Sequence, residues 1–279
     1  MSATHDSFIV KQGFPKLVVN AFRIYFSNAP TLIAICAAIL LPGQFLVDTL
    51  SHLASGDDGG SVGAFNVVLT FLIQVVAQLF LVGEISQACF GQPTSVRRSL
   101  GRASARGIGR LIGTNLLALA VIGFVVLVIG CIGVFAIFKE FLVTGAVVLV
   151  LGCVAFVVLW VRYVFVSQVV ILERRYWISA LRASASLVTG SFWKTLWYGV
   201  VFWLAVGLVS SAVTGPLGFV PENHPAHWVL ASIVGNAVAL LLFVPISAAF
   251  WTLFYYSLRI ESDRLTTADV VEIQSFGNL

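Results

Sequence analysis

The chain has 279 residues, of which 59% are hydrophobic and only 10% are charged. A typical soluble domain has about 45–50% apolar and about 25% charged residues. This composition excludes a soluble globule, a coiled coil and a disordered chain, and it leaves a polytopic membrane protein. It names neither a reaction nor a substrate.

Six stretches of the chain are long and apolar enough to cross a membrane as helices. A bilayer core about 30 Å thick needs about 20 apolar residues in a helix. The predicted spans cover residues 30–50, 63–83, 111–137, 142–165, 195–219 and 228–254. Runs such as Leu116–Phe138 lack the alternation of a β-barrel strand, so they predict an all-α protein. Since the polar start, Met1–Asp6, is followed by no cleavage pattern, we expect the first span to act as the targeting signal.

The basic residues are distributed very unevenly between the two sides of the predicted bundle. Fifteen of the 16 lysines and arginines lie in the N-terminal segment, the second and fourth connections and the C-terminal tail, and Lys139 alone lies on the other side. The positive-inside rule then places both termini in the cytoplasm. External loops are predicted at 51–62, 138–141 and 220–227. Residues 1–260 should form one six-helix membrane domain and 261–279 a short cytoplasmic tail.

A short amphipathic stretch precedes each pair of spans. In each stretch polar or basic residues recur at helical spacing. Arg23, Arg102 and Arg182 are 79 and 80 residues apart. This spacing predicts three repeated units, each an interfacial helix followed by a transmembrane hairpin. A chance spacing of basic residues is the alternative.

The basic groups of these stretches are the candidates for contact with anionic lipid headgroups. An interfacial helix turns its basic groups toward lipid phosphates and its apolar groups toward the acyl chains. The predicted contact residues are Arg98, Arg102, Arg106, Arg110, Arg23 and Arg182. A protein partner at the cytoplasmic face and topology signalling alone are the alternatives. Tryptophans predicted on the same side would form an aromatic belt, namely Trp160, Trp177, Trp193, Trp197 and Trp251.

The polar groups deep in the spans are mainly amides and hydroxyls. A possible intramembrane polar cluster consists of Gln74, Gln78, Asn236 and Gln44. Such groups form hydrogen bonds between helices, or they line a polar cavity for a neutral or lipid-like ligand. Ionisable residues such as Glu84 are expected near span ends, which argues against a proton relay. The pair Gly109 and Gly113 forms a GxxxG step, which predicts close helix packing.

The sequence carries no recognisable catalytic, metal or cofactor motif. Glu222, His224 and His227 could ligate zinc, but Pro225 interrupts their alignment, so exposed loop histidines are expected. No span contains the histidine or paired carboxylates that an intramembrane hydrolase needs. We therefore expect no catalytic residue, no metal and no cofactor.

Two motifs near the end of the chain are distinctive. The first places Ala180, Ser184, Gly190, Phe192 and Trp193 in an Ala-x-x-x-Ser…Gly-x-Phe-Trp pattern, and the second is Tyr255, Tyr256, Leu258 and Arg259. Together they resemble a bacterial and archaeal family of six-span membrane proteins, in which the module occurs alone or fused to a glycerophosphodiester phosphodiesterase domain. The resemblance covers the whole chain and implies the stand-alone form. It implies architecture, with no catalytic residue to carry over.

Two functions remain in competition. The first is a non-enzymatic scaffold or accessory protein that acts on or beside anionic phospholipids, and it follows from the basic stretches and the resemblance. The second is a transporter or lipid-translocating protein with a neutral polar cavity, and it follows from the amides and from the kinks expected at Pro42 and Pro245. Membrane lipids are the expected partners, and nucleic acid is not.

Overall fold

The structure is a computed structural model that describes residues 12–54, 59–90, 105–139, 141–214 and 225–263. Over these residues the chain is helical and forms no β-strand. The helices are α1 (Phe14–Ser27), α2 (Ala29–Ala54), α3 (Gly59–Cys89), α4 (Ala105–Phe138), α5 (Leu142–Tyr163), α6 (Val166–Glu173), α7 (Ile178–Thr189), α8 (Phe192–Thr214) and α9 (Pro225–Asp263).

Six segments of the described chain are long and apolar enough to cross a membrane. They are Ala29–Val47, Val68–Cys89, Gly107–Phe138, Leu142–Glu173, Phe192–Ala212 and Leu240–Ser262. Each overlaps one predicted span, so the prediction of an all-α, multi-pass membrane protein with six transmembrane helices is confirmed. The last helix extends beyond the predicted end of its span and continues to Asp263.

The described residues form two compact units, which we treat separately. Unit 1 comprises residues 1–108 and 197–279, and unit 2 comprises residues 109–196. The single domain of residues 1–260 expected from the sequence thus contains two units. The boundaries fall near the start of α4 and near the start of α8.

Unit 1 has its core around the second half of α9. Almost every residue from Ile246 to Leu258 is buried there. Phe250 stacks on Phe202 of α8, with ring centroids 4.1 Å apart. Pro15 lies in the first turn of α1 and suits a helix start. The backbone N–H that proline lacks would have no partner within the helix at this position. From that start, α1 packs Leu17, Ala21 and Ile24 against α9, α2 and α3.

The amphipathic pattern of α1 predicted an apolar face in the lipid, but the structure buries one apolar face of this helix in protein. Leu17, Ala21 and Ile24 are nearly inaccessible because they face protein, whereas Val19 and Phe26 are exposed on the remaining surface. The first amphipathic stretch therefore uses one apolar face to build the core of unit 1. The part of the second stretch before residue 105 lies outside the described residues.

Unit 2 contains the hairpin of α4 and α5, followed by α6 and α7. Glycines let the two long helices approach closely, since a Cβ at Gly145 would lie 2.8 Å from the carbonyl oxygen of Gly133. Helix α7 packs on both α5 and α6. The connection between α6 and α7 is a short turn, Arg174–Trp177.

Candidate functional site

The predicted headgroup-contact arginines fall partly inside and partly outside the described residues. Arg98 and Arg102 lie outside them, and for Arg106 the backbone alone is described, at the start of α4. Arg23 on α1, Arg110 on α4 and Arg182 on α7 are exposed. Arg23 belongs to unit 1, and Arg110 and Arg182 belong to unit 2. Within unit 2 the neighbourhood of Arg110 can therefore be described in detail.

The guanidinium group of Arg110 lies over an aromatic ring. Its Cζ is 5.0 Å from the centroid of the Tyr176 ring, which is a cation–π contact. Tyr176 belongs to the turn between α6 and α7, so the contact joins that turn to the start of α4. The guanidinium group lies over the ring, and because the Arg110 side chain is exposed, its N–H groups can also reach an anion.

The turn Arg174–Trp177 has an unusual backbone. Arg174 has φ 54°, and Trp177 has φ 57° with ψ −135°. Residues with side chains rarely adopt positive φ, because the Cβ clashes with the backbone. A strained residue of this kind costs about 1–3 kcal/mol and persists only where its surroundings hold it.

Trp177 is held by contacts with α4. Its backbone N–H donates a hydrogen bond to Thr114 Oγ1 at 3.0 Å, and Thr114 Oγ1 donates in turn to the carbonyl of Arg110 at 2.7 Å. The indole ring covers Gly113, where a Cβ would lie 2.8 Å from Trp177 Cη2. The helix leaves space for the ring because residue 113 has no side chain.

The GxxxG step therefore has two different members. Gly113 accommodates the Trp177 ring, whereas a Cβ at Gly109 would meet no atom within 4 Å. Close packing was expected at both glycines. In the described structure it occurs at Gly113, and its partner is an aromatic side chain.

The first of the two sequence motifs attaches α7 to α5. Ala180 and Ser184 are fully buried, and Ser184 Oγ donates to the carbonyl of Arg162 at 2.7 Å. Small residues four positions apart let the helices come close enough for this bond. The contact brings the end of α5, with the exposed Arg162, next to α7, with the exposed Arg182.

Unit 2 exposes further charged and aromatic groups. Arg175 Nε lies 3.2 Å from Glu173 Oε2. Trp177 and Ile178 are 52% and 63% exposed, and Trp193 at the start of α8 is 78% exposed. We call Arg110, Arg162, Arg174, Arg175 and Arg182, with Tyr176 and Trp177, the basic–aromatic collar of unit 2.

One tryptophan of the expected belt lies elsewhere. Trp251 is only 7% exposed and packs against Phe202, Phe250 and Phe254. Its burial follows from its place in the core of unit 1, where α8 and α9 meet. Trp177, Trp193 and Trp197 are exposed as an interfacial anchor requires, and Trp160 is half-buried.

The predicted amide cluster is spread over three helices, α2, α3 and α9. Gln74 on α3 is exposed, Gln78 one turn later is half-buried, and Gln44 on α2 is half-buried. The side chain of Asn236 lies outside the described residues. Elsewhere, the described structure gives Asn115 a packing role, since it donates to the carbonyl of Leu111 and accepts from Ser167 Oγ at 2.9 Å.

The described acidic residues form no further site. Glu84 was expected to reach the interface, but it is fully buried on α3 and has an interaction partner in the protein. Glu222 and His224 lie outside the described residues. Among the residues that the structure describes, no three His, Cys, Asp or Glu side chains are grouped for a metal.

The sequence pattern missed the turn beside Arg110. Glycine or asparagine marks positive φ in a sequence, but arginine and tryptophan occupy Arg174 and Trp177. No local signal could therefore have predicted the turn. The turn lies in the segment that carries the family resemblance, and this resemblance was the sequence signal that pointed to the segment.

Comparison with known proteins identifies one family. Its model, described as a domain of unknown function, DUF7847, matches residues 17–258. No curated protein and no solved structure matches the chain. The matched region extends from the buried face of α1 to the buried end of α9, and the chain belongs to the DUF7847 family.

Proposed function

We propose that the chain is a non-enzymatic protein of a prokaryotic inner membrane, with both termini in the cytoplasm. In this proposal it is a scaffold or accessory factor that acts on or beside anionic phospholipids. The observation that carries the proposal is the basic–aromatic collar of unit 2. There, exposed arginines and the exposed Trp177 occur together near the ends of transmembrane helices.

The physical argument rests on what each group prefers at a membrane surface. A basic side chain near an anionic surface gains about 1 kcal/mol. Tryptophan favours the headgroup level, where its ring is apolar and its N–H is wet. Arg110 favours an anionic headgroup, and Trp177, in the same region, favours the headgroup level of the bilayer. An anionic lipid satisfies both side chains.

The family resemblance supports the same setting. The motifs around Ala180 and Tyr255 resemble membrane modules associated with glycerophosphodiester phosphodiesterases. A glycerophosphodiester is the part of a phospholipid that remains when the acyl chains are removed. An accessory role beside phospholipid metabolism fits this resemblance. The proposal assigns no catalytic residue, metal or cofactor to the chain.

The transporter alternative depends on a polar cavity formed by the deep amides. The exposed position of Gln74 on α3 gives it no support. One pocket on the surface of α4 is lined by Leu127, Gly130, Cys131, Val134, Phe135 and Phe138. That lining is apolar, so it offers a neutral polar solute no hydrogen bonds.

The first test changes Arg98, Arg102 and Arg106 to Gln. Glutamine keeps the helix propensity, while Arg97 and Arg110 remain to maintain orientation. The triple variant should insert normally but retain less phosphatidylglycerol and cardiolipin on purification in mild detergent. The difference from the wild type should shrink at high salt, because salt screens exposed charges. Lipid mass spectrometry of the purified protein makes the measurement.

Lys139→Gln is the matched control, because it removes the one basic residue on the predicted external side. It should leave the retained lipid unchanged. Equal anionic lipid in the triple variant and the wild type would contradict lipid contact by this stretch. The stretch would then serve a protein partner or topology.

A further inference from the structure

We propose that Arg110, Tyr176 and Trp177 form a discrete site that binds the phosphate headgroup of a single anionic phospholipid. The inference deepens the proposed function, on which it rests, by naming the residues and the ligand class. The ligand is an amphiphile with a phosphate group and a hydrocarbon portion. Arg110 takes the phosphate, and Trp177 lies against the glycerol and upper acyl region.

The first step concerns the guanidinium group. Tyr176 lies against one face of Arg110 at 5.0 Å from ring centroid to Cζ, which restricts the side chain to few orientations. A guanidinium held in this way presents two parallel N–H donors, the geometry that a phosphate oxygen pair accepts. A free arginine must lose more side-chain entropy to make the same bonds.

The second step concerns the turn that supplies the ring. Arg174 and Trp177 both adopt positive φ, and strained residues of this kind cluster at ligand clamps. Tyr176 lies between these two residues, and the bond from the Trp177 N–H to Thr114 Oγ1 keeps the turn against α4. Arg174 ends α6 in the left-handed conformation that is common at helix ends, so Trp177 is the residue whose backbone the connection alone does not explain.

The third step concerns the depth of the site. The apolar segment of α4 begins at Gly107, so Arg110 lies within the first turn of a transmembrane span. Trp177 and Ile178 are mostly exposed beside it. A phosphate site bordered by exposed apolar surface at a span end suits a lipid, whereas a soluble phosphate would gain nothing from that surface.

The site can be altered in two independent ways. Arg110→Gln removes the charge of an exposed side chain, so folding should be preserved. Gly113→Ala puts a methyl group where the Trp177 ring lies, 2.8 Å from Cη2, and should displace the ring. Gly109→Ala is the matched control, because its methyl group would meet no atom within 4 Å. Alanine favours helix at both positions, so helix propensity cannot explain a difference between them.

The experiment is native mass spectrometry of the purified full-length protein with phosphatidylglycerol or phosphatidylcholine at defined ratios. The wild type should keep one phosphatidylglycerol more tightly than any phosphatidylcholine. Arg110→Gln should weaken that one binding event about tenfold, the size expected for losing a charge-assisted hydrogen bond. Gly113→Ala should weaken the same event, because it displaces the Trp177 ring from the lipid. Gly109→Ala should match the wild type. Inorganic phosphate at millimolar concentration should fail to displace the lipid.

The outcomes separate this inference from the proposed function. A wild type that keeps neither lipid preferentially would overturn the proposed function and this site with it. A wild type that prefers phosphatidylglycerol, while both variants bind it as Gly109→Ala does, would overturn the site alone. Displacement by inorganic phosphate would show a site for the free anion and would also overturn the lipid assignment.

Discussion

Single glycines determine how closely α4 and α5 approach within unit 2. At Gly145 a Cβ would come against the side chain of Ile137 and 2.8 Å from the carbonyl oxygen of Gly133. A backbone atom cannot rotate away as a side chain can, so the helices would have to separate. At Gly130, on the same hairpin, a Cβ would meet no atom within 4 Å.

Gly145→Ala is therefore expected to destabilise the hairpin despite the better helix propensity of alanine. Overpacking of this kind costs about 1–3 kcal/mol. Gly130→Ala should be neutral or slightly stabilising, because it changes helix propensity alone. Thermal unfolding of the two variants in the same detergent compares them directly. Equal unfolding midpoints would show that α4 and α5 do not pack through Gly145.

At the scale of helices, one buried hydrogen bond joins α3 to α9 in unit 1. The hydroxyl groups of Ser86 and Tyr256 are 2.8 Å apart, and both side chains are buried. Tyr256 belongs to the second sequence motif, which the structure therefore places in the core. The ring of Phe90 meets the same tyrosine edge-on, so Tyr256 has both a packing and a polar contact.

Tyr256→Phe keeps the ring and removes the hydroxyl, so it isolates the polar contact. We expect it to lower the free energy of unfolding by about 1 kcal/mol, as the loss of one buried hydrogen bond does. Ser86→Ala should cost a similar amount. Because both changes remove the same bond, the double variant should cost less than the sum of the two single ones. Strictly additive effects, measured by unfolding in detergent, would refute the coupling.

At the scale of the whole molecule, charge predicts how the six spans are threaded. The excess of arginine and lysine on alternate connections predicts cytoplasmic termini. Single cysteines can test this in a background where Cys36, Cys89, Cys131 and Cys153 are replaced. The informative positions, Ser55, Asn223 and Ser104, lie in connections outside the described residues.

With Ser55→Cys or Asn223→Cys, an impermeant thiol reagent should label intact cells, because both loops are predicted to be external. With Ser104→Cys, labelling should require permeabilised cells. The last variant, labelled after permeabilisation, also controls for the accessibility of its cysteine. Labelling of Ser104→Cys in intact cells would reverse the orientation and move the second basic stretch to the outer surface.

The spans were predictable because they depend on local properties. A run of about 20 apolar residues must become a helix in a bilayer, since no water is present to bond its backbone. The family resemblance, a separate signal, identified Ala180 and Ser184 as parts of a motif, although the bond from Ser184 to α5 was not foreseen. For Trp251 the reasoning from local properties failed, because a tryptophan near a span end is equally suited to lipid and to a protein core.

By itself, then, the amino-acid sequence determined the helical class and the six spans, since length and hydropathy are local properties. It also named Arg110 and Arg182 as candidate contact residues, but not Arg162, Arg174 or Arg175. The tertiary structure alone decided which groups meet. Trp177 and Thr114 are 63 residues apart in the sequence. The ring of Trp177 can pack on α4 because Gly113 has no side chain. The contacts that offset the strain of the positive φ at Trp177 also come from α4, which is distant in the sequence.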